Sequence, residues 1–128
     1  MMTAKSNVEL TADETRNLLR VRFHGSVSAS AMCSALVGLK EHVGRCQPGF
    51  TVLTDLSDLE AMELDCVDSL TRMMELFKTR SIGTVVRVIP DPEKDIGFNI
   101  LSLTHYRRGV KIVTCETLAE AERALQAR

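Results

Sequence analysis

The heptapeptide Phe-Thr-Val-Leu-Thr-Asp-Leu at residues 50–56 decides the fold of this chain. It follows Gly49 and leads through an acidic, polar loop into a helical pattern that begins near Asp65. A short apolar, β-branched run of this kind predicts a buried strand. Residues 84–89 and 110–115 repeat the form, each after a glycine and each before another helical pattern. This alternation predicts a parallel sheet with crossover helices.

Two further strands are predicted before the central one, at residues 7–10 and 18–24, around a polar turn at residues 11–16. In the second of them three apolar residues alternate with three polar ones: Leu19, Val21 and Phe23 against Arg20, Arg22 and His24. Such alternation gives a strand one buried and one solvated face. We expect an antiparallel hairpin at one side of the sheet, ended by Gly25.

Helical spacing predicts a first helix that starts at an N-cap, Ser28 or Ser30, and runs to about Arg45. A second is predicted at about residues 65–79. The expected apolar stripes are Met32, Leu36, Leu39 and Val43 in the first helix, and Val67, Leu70, Met74 and Phe77 in the second. The exposed face of the second helix is expected to carry Asp68, Arg72, Glu75 and Lys78.

The C-terminal part of the chain predicts two more helices. A less regular segment at about residues 94–108 supplies the second crossover. Thr117 and Glu120 form a capping box for the last helix, with Leu118, Ala121 and Leu125 expected to face inward. The fold class is therefore α/β, with a mixed sheet of about five strands and about four helices in a single domain, residues 1–128.

The composition disfavours several classes of partner. The 16 basic and 17 acidic residues are mixed along the chain and give a net charge of -1, so no basic stripe predicts nucleic-acid binding. Aromatic residues make up only 4%, which leaves little surface for stacking bases. No apolar stretch approaches the roughly 20 residues of a membrane span. We expect a cytoplasmic protein that neither spans a membrane nor binds nucleic acid.

The side chains that could carry chemistry do not form a recognisable catalytic set. The four cysteines are widely spaced and predict reduced thiols, most of them small buried residues. Cys66 and Cys115 fall near predicted helix N-termini, where a thiol pKa can be lowered, so reactive thiolates are the alternative there. The acidic residues at 55–68 are compatible with a metal-binding site, because hard cations prefer carboxylate ligands. The alternative is that these acids complement the dipole of the helix whose N-terminus they precede. We expect no metal, no cofactor and no enzymatic activity.

The order of elements resembles that of a known family. The strings Leu-Thr-Asp-Leu-Ser at residues 53–57, Val-Val-Arg-Val-Ile at 85–89 and Val-Lys-Ile-Val at 110–113 follow the hairpin and first helix as in the SpoIIAA-like branch of the STAS superfamily. The resemblance spans nearly the whole chain. It implies a small cytosolic α/β domain. Anti-sigma factor antagonists of that branch bind a partner kinase through the loop and helix after the central strand.

Those antagonists carry an Asp-Ser-Ser-Gly-like string whose serine is phosphorylated. This chain has Asp65-Cys66 and Asp68-Ser69 in its place, without the tandem serine or the glycine. The resemblance makes Ser69 the candidate phosphorylation site. The alternative for Ser69 is an ordinary polar position in the first turn of a helix.

The resulting hypothesis is a non-enzymatic regulatory or protein-interaction module that acts through the loop and helix after the central strand. Ligands of open α/β sheets gather beyond the carboxyl ends of parallel strands. The predicted interaction residues are Asp55, Ser57, Asp58, Asp65, Cys66, Ser69, Arg72 and Met73. The partner is expected to be another protein, and self-association is the second possibility. An alternative hypothesis is a carrier or sensor of a small apolar or lipid-like ligand.

Overall fold

The computed structural model describes residues 7–63, 65–89 and 110–126. Its elements in chain order are β1 (Val8–Asp13), β2 (Leu18–Val27), α1 (Ala29–Gly44), β3 (Thr51–Met62), α2 (Cys66–Thr79), β4 (Thr84–Val88), β5 (Lys111–Cys115) and α3 (Leu118–Gln126). The predicted α/β class is confirmed. The helix predicted at residues 94–108 lies outside the described residues.

The strands form one mixed sheet in the order β1-β2-β3-β4-β5. β1 pairs antiparallel with β2, and the remaining neighbours are parallel. The predicted hairpin at one side of a parallel sheet is thus confirmed. Its end was predicted wrongly, because β2 continues past Gly25 to Val27 by pairing with the central strand β3.

One face of the sheet packs against α1 and α2. The alternation along β2 places Leu19, Val21 and Phe23 in this core, where each is 0% exposed. Phe50, next to the start of β3, packs edge-to-face with Phe77 of α2, with ring centroids 6.2 Å apart. This larger core fixes α2, and with it the connection that leads out of β3.

The opposite face holds a smaller core under α3. Leu53 and Val86 from the sheet pack there with Ala121 and Leu125 from the helix. Leu118 was predicted to face inward, but it is 40% exposed. It stands in the first turn of α3, whereas the buried residues of the helix are Ala121 and Leu125.

The helix starts follow the predicted chemistry. Ser28 is the N-cap of α1, and its Oγ accepts a hydrogen bond from the Ala31 N–H at 3.1 Å. Thr117 Oγ1 accepts from the Glu120 N–H at 3.1 Å, as expected for the start of α3. These bonds satisfy amide donors that a helix N-terminus leaves without an intrahelical partner.

Candidate interaction edge at the carboxyl end of the central strand

The central strand is longer than its sequence predicts. β3 runs from Thr51 to Met62, so most of the acidic segment predicted as a loop is strand. Its second half pairs with the end of β2, where His24 is opposite Asp58 and Val27 is opposite Met62. The acidic side chains are therefore held on a strand.

The pairing of β2 with β3 is irregular in two places. The register shifts between Arg22 and His24 and again between Gly25 and Ser26, and at each shift β3 contains one residue more than β2. Gly25 adopts a φ of +66°, a conformation that glycine accepts without a Cβ penalty. The Asn7 side chain donates to the carbonyl oxygens of His24 and Ser26 at 3.0 and 2.9 Å, which braces the strand there.

These irregularities change which side chains of β3 reach solvent. After six buried residues, Ser57 and Asp58 are exposed in succession, and so are Glu60 and Ala61. A regular strand would alternate between its two faces, whereas a bulge turns an extra side chain toward one side. The bulges thus present Ser57 and Asp58 together in the second half of β3, past the last residue of β3 that pairs with β4.

Asp55 organises the first of these irregularities. Its side chain is buried, and its Oδ1 accepts the Ser57 N–H at 2.9 Å and the Ser57 hydroxyl at 2.5 Å. A carboxylate that accepts two bonds from a residue two positions on fixes the local backbone as an Asx turn. We assign Asp55 to support of the edge, while Ser57 is exposed on it.

Arg22 connects the edge to the hairpin. Its guanidinium donates to Glu9 Oε2 at 3.0 Å and forms an ion pair with Asp58. His24 Nε2 lies 2.8 Å from the same Glu9 oxygen. The hydrogen bond with Asp58 is the main cause of a raised Arg22 pKa. The network orients Asp58, although the arginine side chain is 42% exposed, which limits its contribution to stability.

The connection from β3 to α2 is anchored to the start of α1. Glu63 accepts the Ala29 N–H on Oε1 at 3.0 Å, and its own N–H donates to the Val27 carbonyl at 3.1 Å. The Cys66 thiol donates to the same carbonyl at 3.6 Å. These bonds hold the connection against the end of β2.

Two acidic side chains mark the start of α2. Asp65 is the N-cap, and its side chain makes no capping hydrogen bond. Asp68 lies in the first turn, and both residues are exposed. Neither forms an ion pair with a residue in the described ranges. Their charges complement the helix dipole and remain available to a partner.

The thiols nearest this edge are shielded. Burial raises the pKa of the Cys66 thiol, and the negative charge of Glu63 raises it further. Burial likewise raises the pKa of Cys115. This direction is opposite to the lowered thiol pKa that the reactive-cysteine alternative requires. All four cysteines are free, and Cys33 is exposed where a buried position was expected.

The predicted interaction residues divide into two groups. Ser57, Asp58, Asp65 and Arg72 are exposed. The other four are buried: Asp55 at 8% exposure, Cys66 at 1%, Ser69 at 8% and Met73 at 4%. For these four the prediction of a direct surface contact is corrected. Cys66 and Met73 belong to the larger core together with Leu70, Met74 and Phe77, and Ser69 is buried on the same helix.

Within residues 7–63, 65–89 and 110–126, no group of three or more His, Cys, Asp or Glu side chains is arranged to hold a metal ion. Among the same residues, none of the helices is long and apolar enough to cross a membrane.

A second surface feature was not predicted from the sequence. A groove between α1 and α2 is lined by Cys33, Leu36, Val37, Lys40, Arg72 and Leu76. The available signal was Val37, a large apolar residue next to the predicted α1 stripe but outside it. Its significance depends on the packing of α1 beside α2, which local sequence does not specify.

Solved structures share this architecture. An uncharacterised protein of the DUF3478 family with a SpoIIAA-like fold, from Shewanella loihica, has a TM-score of 0.70 at 11% identity, with 98% of each chain covered. The anti-sigma factor antagonist SpoIIAA in its unphosphorylated form has a TM-score of 0.62 at 18% identity, over 94% of this chain and 99% of that chain. The chain has a SpoIIAA-like fold.

An anti-sigma factor antagonist from Mycobacterium paratuberculosis shares the SpoIIAA-like fold with a TM-score of 0.58 at 17% identity, over 98% of this chain and 99% of that chain. No protein-family model matches the chain, and no curated protein matches its sequence. The resemblance expected from the order of elements is thus confirmed at the level of fold. The SpoIIAA-like scaffold does not by itself assign a function to the edge residues.

Proposed function

We propose that this SpoIIAA-like chain is a non-enzymatic regulatory module that binds another protein through the β3–α2 connection and the exposed side of α2. The observation that carries the proposal is the anchoring of that connection. Glu63 bonds to Ala29 and Val27, and the Cys66 thiol bonds to the same Val27 carbonyl, so the exposed Asp65 lies between two residues that are bonded to the end of β2. A fixed surface loses little conformational entropy on binding.

The charge of this surface indicates the chemistry of the partner. Asp58, Asp65 and Asp68 are exposed at the edge, and Asp65 and Asp68 have no ion-pair partner among the described residues. Complementary charge across an interface accelerates association and selects the partner. The partner surface is therefore expected to present lysine or arginine toward the start of α2.

The structural neighbours support the same class of function. Two of the compared structures are described as anti-sigma factor antagonists. The resemblance described above implies that antagonists of this branch bind through the loop and helix after the central strand. Phosphorylation of Ser69 stays a prediction, and since Ser69 is only 8% exposed, it would require the start of α2 to move.

The test is affinity purification from the cells that produce the protein, followed by native mass spectrometry. Wild type is compared with Asp65→Lys and with a matched control, Glu14→Lys, whose charge reversal lies in the exposed turn between β1 and β2. We expect a protein partner with wild type and with the control. We expect the Asp65→Lys variant to lose most of that partner at equal expression and thermal stability.

The outcomes separate the hypotheses. If Asp65→Lys and Glu14→Lys retain the partner equally, the edge does not bind it. A bound small molecule, released on denaturation and present without any protein partner, would favour the apolar-ligand alternative. An added phosphate on intact protein, mapped to Ser69, would support the switch that the resemblance implies.

A further inference from the structure

The groove between α1 and α2 has the form of a binding site. It opens to solvent and has a volume of about 390 Å³. Leu36 and Leu76 form an apolar base because both are half-buried and pack against the larger core. Val37 stands 75% exposed beside them, a fraction unusual for a large apolar side chain in the described residues.

The spacing of the α1 residues sets the shape of the occupant. Cys33, Leu36, Val37 and Lys40 recur at i, i+3, i+4 and i+7, which places them along one face of the helix. That face extends over about 10 Å, or roughly two helical turns. A groove between two packed helices accepts the side-chain ridge of a third helix.

The charged residues of the groove set the polarity of the occupant. Lys40 lies on α1 and Arg72 on α2, so the two helices each contribute a cation. Neither cation forms an ion pair with a residue in the described part of the chain. Carboxylates beside the apolar anchors of a partner would pair with both cations.

We propose that this groove binds an amphipathic helix of another protein, with aliphatic side chains at i, i+4 and i+7 and with aspartate or glutamate flanking them. This goes beyond the proposed function, because the acidic edge calls for a basic partner surface and the groove calls for an acidic one. Arg72 borders both surfaces, so Asp65 is used to test the edge and Val37 of α1 is used to test the groove.

The test is selection of helical peptides from a displayed library against the immobilised full chain. The library keeps a helix-forming alanine scaffold and randomises the positions of one face and its flanks. Selection is repeated on Val37→Glu and on the double variant Lys40→Glu/Arg72→Glu. The matched control is Ser34→Glu, which adds a negative charge to an exposed α1 position that does not line the groove.

We expect wild type to enrich peptides with aliphatic residues at helical spacing and acidic flanks. Val37→Glu should weaken their binding at least about tenfold, and Ser34→Glu should leave it within about twofold. The Lys40→Glu/Arg72→Glu variant should select basic flanks instead. Asp65→Lys should bind the same peptides as wild type. The result for the groove therefore does not depend on whether the acidic edge binds a protein.

Three results would overturn the proposal. One is that wild type enriches no peptides beyond those that Val37→Glu also enriches. Another is that the peptides selected on wild type bind Val37→Glu equally well, or that they lack acidic flanking residues. The third is a dimer of wild type that Val37→Glu dissociates, because a second copy of this chain would then be the occupant. Val37 is largely exposed and glutamate favours helices more than valine does, so loss of folding does not confound the comparison.

Discussion

The two faces of the sheet are stabilised in different ways, although the same strands build both. On β2, Leu19, Val21 and Phe23 face α1 and α2 and are fully buried. Between them, Arg20, Arg22 and His24 face the other side, where they form ion pairs and remain partly exposed. Apolar packing excludes solvent from the first face, whereas charged side chains keep part of the second face in contact with solvent.

This difference shows where stability and binding are separated in the molecule. The apolar face carries the packing of α1 and α2 against the sheet. Among the charged residues of the second face, Arg22 orients Asp58 in the second half of β3, and this exposed ion pair changes stability little. Substitutions should therefore affect stability strongly in the larger core on the first face, less in the smaller core under α3, and least at the charged positions of the second face.

The largest expected effect is at Phe77. Phe77→Ala removes a 1% exposed ring from the core and from its edge-to-face contact with Phe50. We expect the free energy of unfolding to fall by about 3–5 kcal/mol. Urea unfolding measures it, with the exposed neighbour Lys78→Ala as a control that should change stability by at most about 0.5 kcal/mol. A loss below about 1 kcal/mol would contradict the dominance of this face.

A smaller effect is expected in the core under α3. Leu125→Ala removes a 7% exposed side chain near the end of that helix, where the structure can relax more easily. The expected loss is about 2 kcal/mol, at the lower end for buried leucine. Urea unfolding of Leu125→Ala and Phe77→Ala shows in which of the two cores the substitution lowers the free energy of unfolding more. An equal or larger loss for Leu125→Ala would reverse the ranking.

The polar face should respond least. Arg22→Ala breaks the contacts to Glu9 and Asp58, but the arginine side chain is 42% exposed. Exposed ion pairs contribute about 0–1 kcal/mol, so the loss of stability should stay within that range. A loss above about 2 kcal/mol would show that the ion pairs of Arg22 are a main source of stability. Binding of the partner should still weaken, since Asp58 would lose its orientation.

Alkaline pH should sharpen the comparison of buried and exposed groups. Burial raises the pKa of Cys66 and Cys115 above the ordinary 9.0. Their folded state favours the protonated thiol, so this contribution to stability is complete below pH 9.0 and is lost as pH rises through the raised pKa.

Urea unfolding below and above pH 9.0 measures the effect of these thiols. The Cys66→Ala/Cys115→Ala variant, compared with wild type over the same pH range, should show a shallower alkaline decline. A decline of equal steepness in both proteins would mean that other groups cause it.

The parts of the fold that local sequence predicted are those governed by local chemistry. The alternation on β2 and the cap at Ser28 each depend on neighbouring residues. The extension of β3 was missed, because acidic residues are depleted in strands and its bulges depend on pairing with β2.

The candidate site stays a prediction, and the exposure of its residues was predicted only in part. Asp58 and Asp65 are exposed at the expected edge. Cys66 and Met73 are buried because the stripe of α2 that faces the sheet is broader than the predicted one. The groove beside Val37 could not be predicted, since it arises from two helices brought together by tertiary packing.

The most direct test of the central claim is photo-cross-linking in the cells that produce the protein. A photoreactive amino acid is placed at Asp65 in one variant and at Glu14 in another, both exposed positions. The account predicts a discrete protein adduct from position 65 and none from position 14. An adduct only from position 14, or no adduct from position 65 while the protein remains folded and expressed, would contradict it.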